Sequence, residues 1–394
     1  MARKITLDFL KTAAASGAAL GIAALAALII ANSPWASGYF HWLKGAHALQ
    51  VGPLRLELTI SEWIKEGLMA VFFLMVGMEI KYEILKGELS DPRRLATPVL
   101  AAFGGMAGPA LVYLLISRFT GAAFEGWPIP LATDIAFALA VFAFVGKGLP
   151  TSLRVFLLTL AIVDDLGAIA LIALLFSSGA HLPPLVGVVG LLVFLGLVAH
   201  RVRITAPFWA LGFAAVWYLT VLSGLSTSLT AVAFAVIVPL QPRKEDGQSP
   251  IKEAIHDLHP WNAFLVLPLF AFAKAGVSFA GMSISALASP LVVAIALGLF
   301  VGKQAGVLGM AALASRLGVG ARPSGASWMQ VYGVAVLCGV GFTMSLFIGA
   351  LAFPGAVDSP QQVEVKLGVL GGSLLSVIWA SIVLSRANRQ HAQA

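Results

Sequence analysis

Three aspartates lie deep inside long apolar runs, whereas most of the 18 acidic residues lie in loops or near the ends of such runs. Asp134 lies in one run, and Asp164 and Asp165 are neighbours in another. Asp164 is about a dozen residues into its run, which is about 18 Å along a helix and near the middle of a ~30 Å hydrocarbon layer. A charged side chain at that depth costs at least about 2.5–3.5 kcal/mol. We therefore expect these aspartates to serve a function beyond holding helices together.

Asp164 and Asp165 have the chemistry of a site that binds protons and small cations in competition. Neighbouring side chains point about 100° apart on a helix, so the two cannot form a symmetric proton-sharing pair by themselves. Burial disfavours a charged carboxylate, and each charge disfavours its neighbour's, so the pair is poised to take up protons. Once deprotonated, the carboxylate oxygens suit a small hard cation. Competition for the same oxygens is the minimum chemistry for exchanging protons against a cation.

Lys303 lies at mid-depth in another apolar run, too deep for its ammonium to reach the surface easily. An unpaired ammonium there would lose its proton, whereas a carboxylate partner would keep it charged. Asp134 and Asp164 are the candidate partners. Lys274 lies toward the end of its run, so we expect its side chain to extend to the membrane interface.

The composition excludes an ordinary water-soluble enzyme. Of the 394 residues, 59% are hydrophobic and 11% are charged, whereas soluble chains have about 25% charged residues. Runs of about 20 apolar residues predict membrane-spanning helices. The sequence contains twelve such runs, near 13–31, 63–82, 96–116, 122–146, 151–177, 183–199, 206–221, 223–240, 261–280, 288–312, 327–352 and 362–386.

The excess of basic residues predicts how the chain is oriented in the membrane, not binding to nucleic acid. The formal net charge is +7, and the basic residues cluster between alternate runs, which is typical of cytoplasmic loops. This pattern predicts that both termini face the cytoplasm. The first run lacks a convincing cleavage site, so we expect it to be retained as a span. The single cysteine, Cys338, excludes an intrachain disulfide.

Continuous apolar runs predict helices, because in lipid every backbone N–H and C=O must be satisfied within its segment or a closed barrel. We therefore predict an all-α polytopic membrane protein with twelve transmembrane helices and a single domain over residues 1–394. The fourth run contains helix-breaking sequence at 128–134, and the eleventh contains it at Gly333 and at 338–345. Unwound backbone at that depth is tolerated only where it lines a cavity or is buried in protein.

The broken runs predict charged ends of half-helices at the membrane midplane. Asp134 would offset the positive N-terminal ends of such half-helices, and Lys303 would offset the negative C-terminal ends. The two broken runs also occupy corresponding places in two possible inverted repeats, approximately 96–177 and 288–386.

Residues 46–60 predict a small β-hairpin in an outer loop. The segment 54–60 alternates apolar and polar residues after Gly52-Pro53, and the segment 46–51 is placed to pair with it. The polar edge of this hairpin would allow a second copy of the chain to join edge to edge. A local cap over the helices is an equal alternative.

Five motifs closely resemble the bacterial NhaA family of sodium/proton antiporters, and the likeness covers nearly the whole chain. The paired-Asp motif and the Ala-Thr-Asp motif are the most specific of them. The motifs are Ala-Thr-Asp-Ile-Ala-Phe-Ala-Leu at 132–139, Leu-Ala-Ile-Val-Asp-Asp-Leu-Gly-Ala-Ile at 160–169, Gly-Phe-Thr-Met-Ser at 341–345, and the segments 68–79 and 259–273.

The resemblance implies an electrogenic exchanger of the bacterial inner membrane that exports Na⁺ or Li⁺ in return for two protons, without a cofactor. It implies crossed half-helices in the fourth and eleventh spans, and a homodimer joined through the outer hairpin. By motif position, Asp165 would be the main ion ligand, with Thr133 and Asp164 close by. Asp164 would pair with Lys303 in the ion-free state, and Asp134 would compensate the half-helix ends.

The resemblance also implies a pH-sensing cluster on the cytoplasmic side, matched here by Glu79, Glu83 and His256. Three positions depart from the family pattern. Tyr82 stands where an arginine is usual, Ser226 where a histidine is usual, and Lys274 where an asparagine is usual. These departures concern the pH profile and leave the ion site intact.

Three other functions fit the sequence less well. A proton-coupled solute symporter of related fold would need a larger, more aromatic or hydrogen-bonding cavity than these alanine- and glycine-rich motifs favour. An intramembrane aspartyl protease needs its two aspartates on facing helices, whereas the tightest pair here is adjacent in sequence. A passive channel has no need of coupled carboxylates at the midplane. We therefore predict an antiporter and not an enzyme.

Overall fold

The computed structural model describes residues 2–51, 54–87, 92–146, 148–176, 181–201, 206–241 and 249–393. In chain order its strands are β1 (Ala46–Val51) and β2 (Leu54–Thr59), and its helices are α1 (Ala2–Ala31), α2 (Ala36–Lys44), α3 (Met69–Lys86), α4 (Pro92–Thr120), α5 (Ile135–Val145), α6 (Thr151–Leu175), α7 (Leu182–Arg201), α8 (Ala206–Ser223), α9 (Thr227–Ile237), α10 (Pro250–Trp261), α11 (Leu267–Ala275), α12 (Pro290–Leu297), α13 (Lys303–Arg316), α14 (Trp328–Leu337), α15 (Phe342–Ala352) and α16 (Pro360–Gln393).

The predicted all-α class with one small hairpin is confirmed, and each of the twelve apolar runs falls on helix. Within the described part of the chain, six helices are long and apolar enough to cross a membrane. Two bent helix pairs raise that number to eight, and both pairs lie at the predicted breaks. The pairs are Phe124–Leu131 with Ile135–Val145 and Trp328–Leu337 with Phe342–Ala352, each bent by 43°.

The remaining four runs coincide with shorter or interrupted helices. The run 206–221 falls on α8 and the run 223–240 on α9. The run 63–82 begins in a π-helical turn, Trp63–Leu68, that leads into α3, and the run 261–280 begins in another, Asn262–Val266, that leads into α11. A π turn widens the helix locally without ending it, so the apolar run continues across it.

The chain divides into two compact units. The first contains Met1–Gly45, Asp91–Ala168 and Ala271–Ala394, and the second contains Ala46–Ser90 and Ile169–Phe270. The first unit contains both bent helix pairs. The order of a long helix, a bent pair and a second long helix occurs twice along the chain.

Helices α4 and α13 of the first unit pack backbone against backbone through small residues. A Cβ on Gly306 would clash with the carbonyl oxygen of Gly104, and a Cβ on Gly108 would clash with that of Gly302. Glycines four residues apart, on α4 and across the start of α13, therefore permit the close approach, as small residues do at membrane helix interfaces. This contact holds the N-terminal part of α13, which begins at Lys303, against α4.

We expect Gly306→Ala to destabilise the protein by about 1–3 kcal/mol, because the new methyl group overpacks the α4–α13 contact. Thermal unfolding of the purified protein in detergent measures the loss as a lower melting temperature. Gly309→Ala on the same helix is the matched control, since a Cβ there meets nothing within 4 Å. Equal melting temperatures for the two variants would contradict this packing.

The second unit carries the hairpin and the helices α3 and α7–α10. Strands β1 and β2 pair antiparallel, with Ala46 opposite Thr59 and Val51 opposite Leu54, so the predicted hairpin is confirmed. Its turn residues, 52 and 53, lie outside the described residues. Thr59 then starts the next helical turn through a capping box with Glu62.

Candidate functional site

The breaks of the two bent pairs meet in extended backbone inside the first unit. The backbone N–H of Asp134 donates to the carbonyl of Val340 at 2.7 Å. The Thr133 hydroxyl donates to the carbonyl of Cys338 at 2.9 Å. These bonds satisfy backbone groups that both helices leave unpaired at their breaks. The close approach requires a small residue at Gly341, where a Cβ would lie 3.1 Å from the carbonyl oxygen of Ala132.

Asp134 caps the N-terminal ends of two helices at once. Its Oδ1 accepts from the backbone N–H of Phe137 at 3.0 Å, in the first turn of α5. Its Oδ2 accepts from the backbone N–H of Thr343 at 3.0 Å and from the Thr343 hydroxyl at 2.6 Å, in the first turn of α15. The side chain is buried, at 2% exposure. One carboxylate therefore faces two positive helix ends, the position that the sequence argument assigned to it.

Lys303 makes its ion pair with Asp164 and not with Asp134. The Lys303 Nζ lies 2.6 Å from Asp164 Oδ2, and both side chains are completely buried. Among the described residues, the other oxygen of this carboxylate, Oδ1, has no hydrogen-bond partner. A buried polar atom without a partner is uncommon in proteins, so this oxygen is available to a further partner.

A π turn sets the position of Lys303 on its helix. Gly298–Gly302 forms this turn, and the backbone N–H of Lys303 donates to the carbonyl of Gly298, five residues back. The lysine side chain runs past Gly105 of α4, where a Cβ would lie 3.8 Å from Nζ. Turns of this kind inside helices occur frequently at functional sites.

Cys338 connects the ion pair with the crossing of the bent helices. It caps the C-terminal end of α14, and its thiol lies within electrostatic reach of both Lys303 and Asp164. Its carbonyl accepts the Thr133 hydroxyl. Cys338 therefore bonds to Thr133 and interacts electrostatically with the Lys303–Asp164 pair.

Asp165 follows Asp164 on α6 and is also buried, at 3% exposure. Thr133 is completely buried. A further buried oxygen of the first unit, Ser345 Oγ on α15, has no hydrogen-bond partner among the described residues. Asp165, Thr133 and Ser345 therefore place buried oxygens on α6, in the break before α5 and on α15, and oxygen is the ligand atom that hard cations prefer.

Ser373 is a site residue that sequence reasoning missed. Its hydroxyl accepts from the backbone N–H groups of Gly341 and Phe342, both at 3.2 Å. It therefore satisfies two donors at the start of α15 that Asp134 does not reach. Ser373 is one of four serines in the apolar run of α16, and nothing in the sequence distinguished it, because its partners lie 31 and 32 residues away.

The three predicted pH-sensing residues lie in the second unit, whereas all the residues above lie in the first. Glu79 and Glu83 are one helical turn apart on α3, and His256 lies on α10, which packs against α3. The carboxylates of Glu79 and Glu83 interact electrostatically. Burial lowers the pKa of His259 from its ordinary value, and the charge of His256 lowers it further.

The three departures from the family pattern have distinct surroundings. The Lys252 ammonium lies over the Tyr82 ring, 4.8 Å from its centroid, an attractive cation–π contact. Ser226 precedes α9, whose first residue, Thr227, donates to a carboxylate oxygen of Glu66 at 2.8 Å.

The expectation that the Lys274 side chain extends to the membrane interface was wrong, because this side chain is buried, at 6% exposure. It lies in the last turn of α11, where the helix end favours a cation.

Comparison with known proteins identifies the family of this chain. Residues 7–384 match the family described as Na⁺/H⁺ antiporter 1. The protein of Pseudomonas entomophila named Na(+)/H(+) antiporter NhaA is 46% identical over 391 residues, covering 97% of this chain and 96% of the relative. The protein of Caulobacter vibrioides with the same name is 48% identical over 394 residues, covering 98% of this chain and 92% of the relative. This chain belongs to the NhaA family of Na⁺/H⁺ antiporters.

Proposed function

We propose that the protein exports Na⁺ or Li⁺ in exchange for protons at the site formed by Asp165, Asp164 and Thr133. The observation that carries this proposal is the completely buried Lys303–Asp164 ion pair, whose second carboxylate oxygen has no described partner. A chain that only spans the membrane has no need of such a pair, because burying two charges is costly even when they are paired. Competition between cations and protons for these carboxylates gives the pair a function.

The exchange uses the same oxygens alternately. Asp165 is the main cation ligand, and Asp164 and Thr133 contribute further oxygens. An arriving cation replaces the Lys303 ammonium as the positive partner of Asp164, and departure of the cation restores the ion pair. Two protons taken up for each cation released would make the cycle electrogenic. Asp134 stays as the counter-charge of the two helix ends, because its bonds to α5 and α15 occupy both of its oxygens.

We also propose that Glu79, Glu83 and His256 make this exchange dependent on pH. Support comes from the packing of α3 against α10 and from the interacting charges on those helices. The protein is multi-pass, and basic residues such as Lys252, Arg316 and Arg386 follow spans at the side that we assign to the cytoplasm, together with both termini. Other basic residues used in that assignment, Lys147, Arg203, Arg243 and Lys244, lie outside the described residues.

Transport by the unmodified protein tests the proposed function. Everted membrane vesicles with an acidic interior are loaded with a pH-sensitive fluorescent probe, and Na⁺, Li⁺ or K⁺ is then added. We expect Na⁺ and Li⁺ to release protons and restore the fluorescence, in vesicles with the protein and not in vesicles without it. Proton release that needs an organic solute instead would favour the symporter, and no release with any salt would contradict exchange.

We further propose a homodimer joined through the outer hairpin. The two-stranded sheet has two unpaired edges, and an unpaired edge offers backbone donors and acceptors to a second chain. Replacing residues 47–58 by a short glycine linker should therefore convert the dimer to a monomer in detergent, as measured by light scattering after size-exclusion chromatography. Arg55→Ala is the control, since it removes only the exposed pair with Glu57. A dimer that persists without the hairpin would favour the alternative of a local cap.

A further inference from the structure

A chain of three hydrogen bonds runs from α16 through α14 to the π turn that precedes Lys303. The Trp379 indole N–H donates to the Tyr332 hydroxyl oxygen at 2.9 Å. The Tyr332 hydroxyl donates to Gln304 Oε1 at 2.7 Å. The Gln304 side-chain amide, Nε2, donates to the carbonyl of Phe300. All four residues belong to the first unit.

The direction of this chain is fixed at both ends. The indole of Trp379 can only donate, and the carbonyl of Phe300 can only accept. Nε2 of Gln304 must therefore face Phe300, and its Oε1 must face Tyr332, whose hydroxyl hydrogen has to point to it. No alternative arrangement of the protons satisfies the same contacts, so each bond orients the next.

The carbonyl at the end of the chain belongs to the π turn itself. Phe300 lies in the middle of Gly298–Gly302, where the hydrogen-bond pattern shifts so that the Lys303 N–H bonds to the carbonyl of Gly298. The Gln304 amide supplies a donor to the carbonyl of Phe300, four residues before it. This bond holds the widened turn, and the widened turn sets the direction in which the Lys303 side chain leaves α13.

We infer that Gln304, Tyr332 and Trp379 are positioning residues for Lys303 in the exchange reaction, an inference that rests on the proposed function. Among the described residues, none of the three is hydrogen-bonded to the carboxylate of Asp164. They act by fixing the turn from which the Lys303 ammonium reaches Asp164 Oδ2 at 2.6 Å. Trp379 is 40% exposed, so the chain of hydrogen bonds begins at an outer surface of α16 and ends at the turn that precedes the buried Lys303.

Tyr332→Phe removes the central hydroxyl and keeps the size of the side chain. Protons and Na⁺ use the same carboxylates in the proposed exchange, so a less well-held Lys303 should change how strongly protons compete with Na⁺. We expect the pH of half-maximal Na⁺-dependent exchange to move by about half a pH unit, a roughly threefold change in proton competition. Gln304→Leu removes the next link and should give a shift of the same sign and size.

The double variant distinguishes a connected chain from two independent packing effects. Because both substitutions break the same chain, Tyr332→Phe with Gln304→Leu should shift the profile no further than the larger single shift. Tyr113→Phe is the matched control, since it removes a hydroxyl that donates to the Ala123 carbonyl at 2.6 Å and should leave the profile unchanged.

Each result supports or overturns the inference. Single shifts that do not add, with Tyr113→Phe unshifted, support a positioning chain. An unshifted profile in Tyr332→Phe, additive shifts in the double variant, or an equal shift in Tyr113→Phe would overturn it. Failure of the unmodified protein to exchange Na⁺ would instead reject the proposed function, and the two failures are therefore distinguishable.

Discussion

Asp165→Asn and Asp164→Asn are each expected to abolish Na⁺- and Li⁺-dependent proton release from acidified vesicles. An asparagine keeps the size of the side chain and one oxygen, but it has no charge to neutralise a cation and no site for the exchanged proton. Both side chains are buried, so water does not replace the missing charge. Initial rates of probe dequenching across pH values measure the loss.

Two further measurements make this test specific. Asp358→Asn is the control, because it removes an exposed carboxylate of the same unit that pairs with Lys44, and it should leave exchange intact. Calorimetry of Li⁺ binding should give an affinity that weakens as the pH falls, because protons occupy the same oxygens. Exchange that survives in both site variants, or Li⁺ binding that is independent of pH, would contradict the proposed site.

The cost of burying charge singled out the candidate site residues from sequence, but it did not show which of them pair. Asp134, Asp164 and Lys303 each stood out as ionisable residues in apolar runs. Two aspartates remained possible partners of Lys303, because the residues that pair are 139 positions apart and no local spacing relates them. The packing of α4 against α13 and the π turn before Lys303 direct the Lys303 ammonium to Asp164.

Local patterns predicted local structure well. The hairpin followed from alternation over six-residue strands, and the helix breaks followed from proline and glycine at depth. The π turns did not follow, because a turn such as Gly298–Gly302 has the same apolar composition as the α-helix around it. The double cap by Asp134 was foreseen only as a charge near helix ends, since its bonds to Thr343 join segments 209 residues apart.

Lys303→Ala is expected to destabilise the protein strongly and to change the charge moved per cation. Removing one partner of a buried ion pair leaves the other uncompensated, which costs about 3–5 kcal/mol. Melting temperature in detergent and the transport current of proteoliposomes give the two readouts.

A second lysine–aspartate pair of nearly the same length provides the comparison. Lys44 lies 2.7 Å from Asp358, but these side chains are 45% and 36% exposed, so Lys44→Ala should change stability by only about 0–1 kcal/mol. Adding Asp164→Asn to Lys303→Ala removes the stranded charge and should restore part of the lost stability. If Lys303→Ala melts like Lys44→Ala and carries an unchanged current, the buried pair is neither the energetic centre of the site nor part of the exchange.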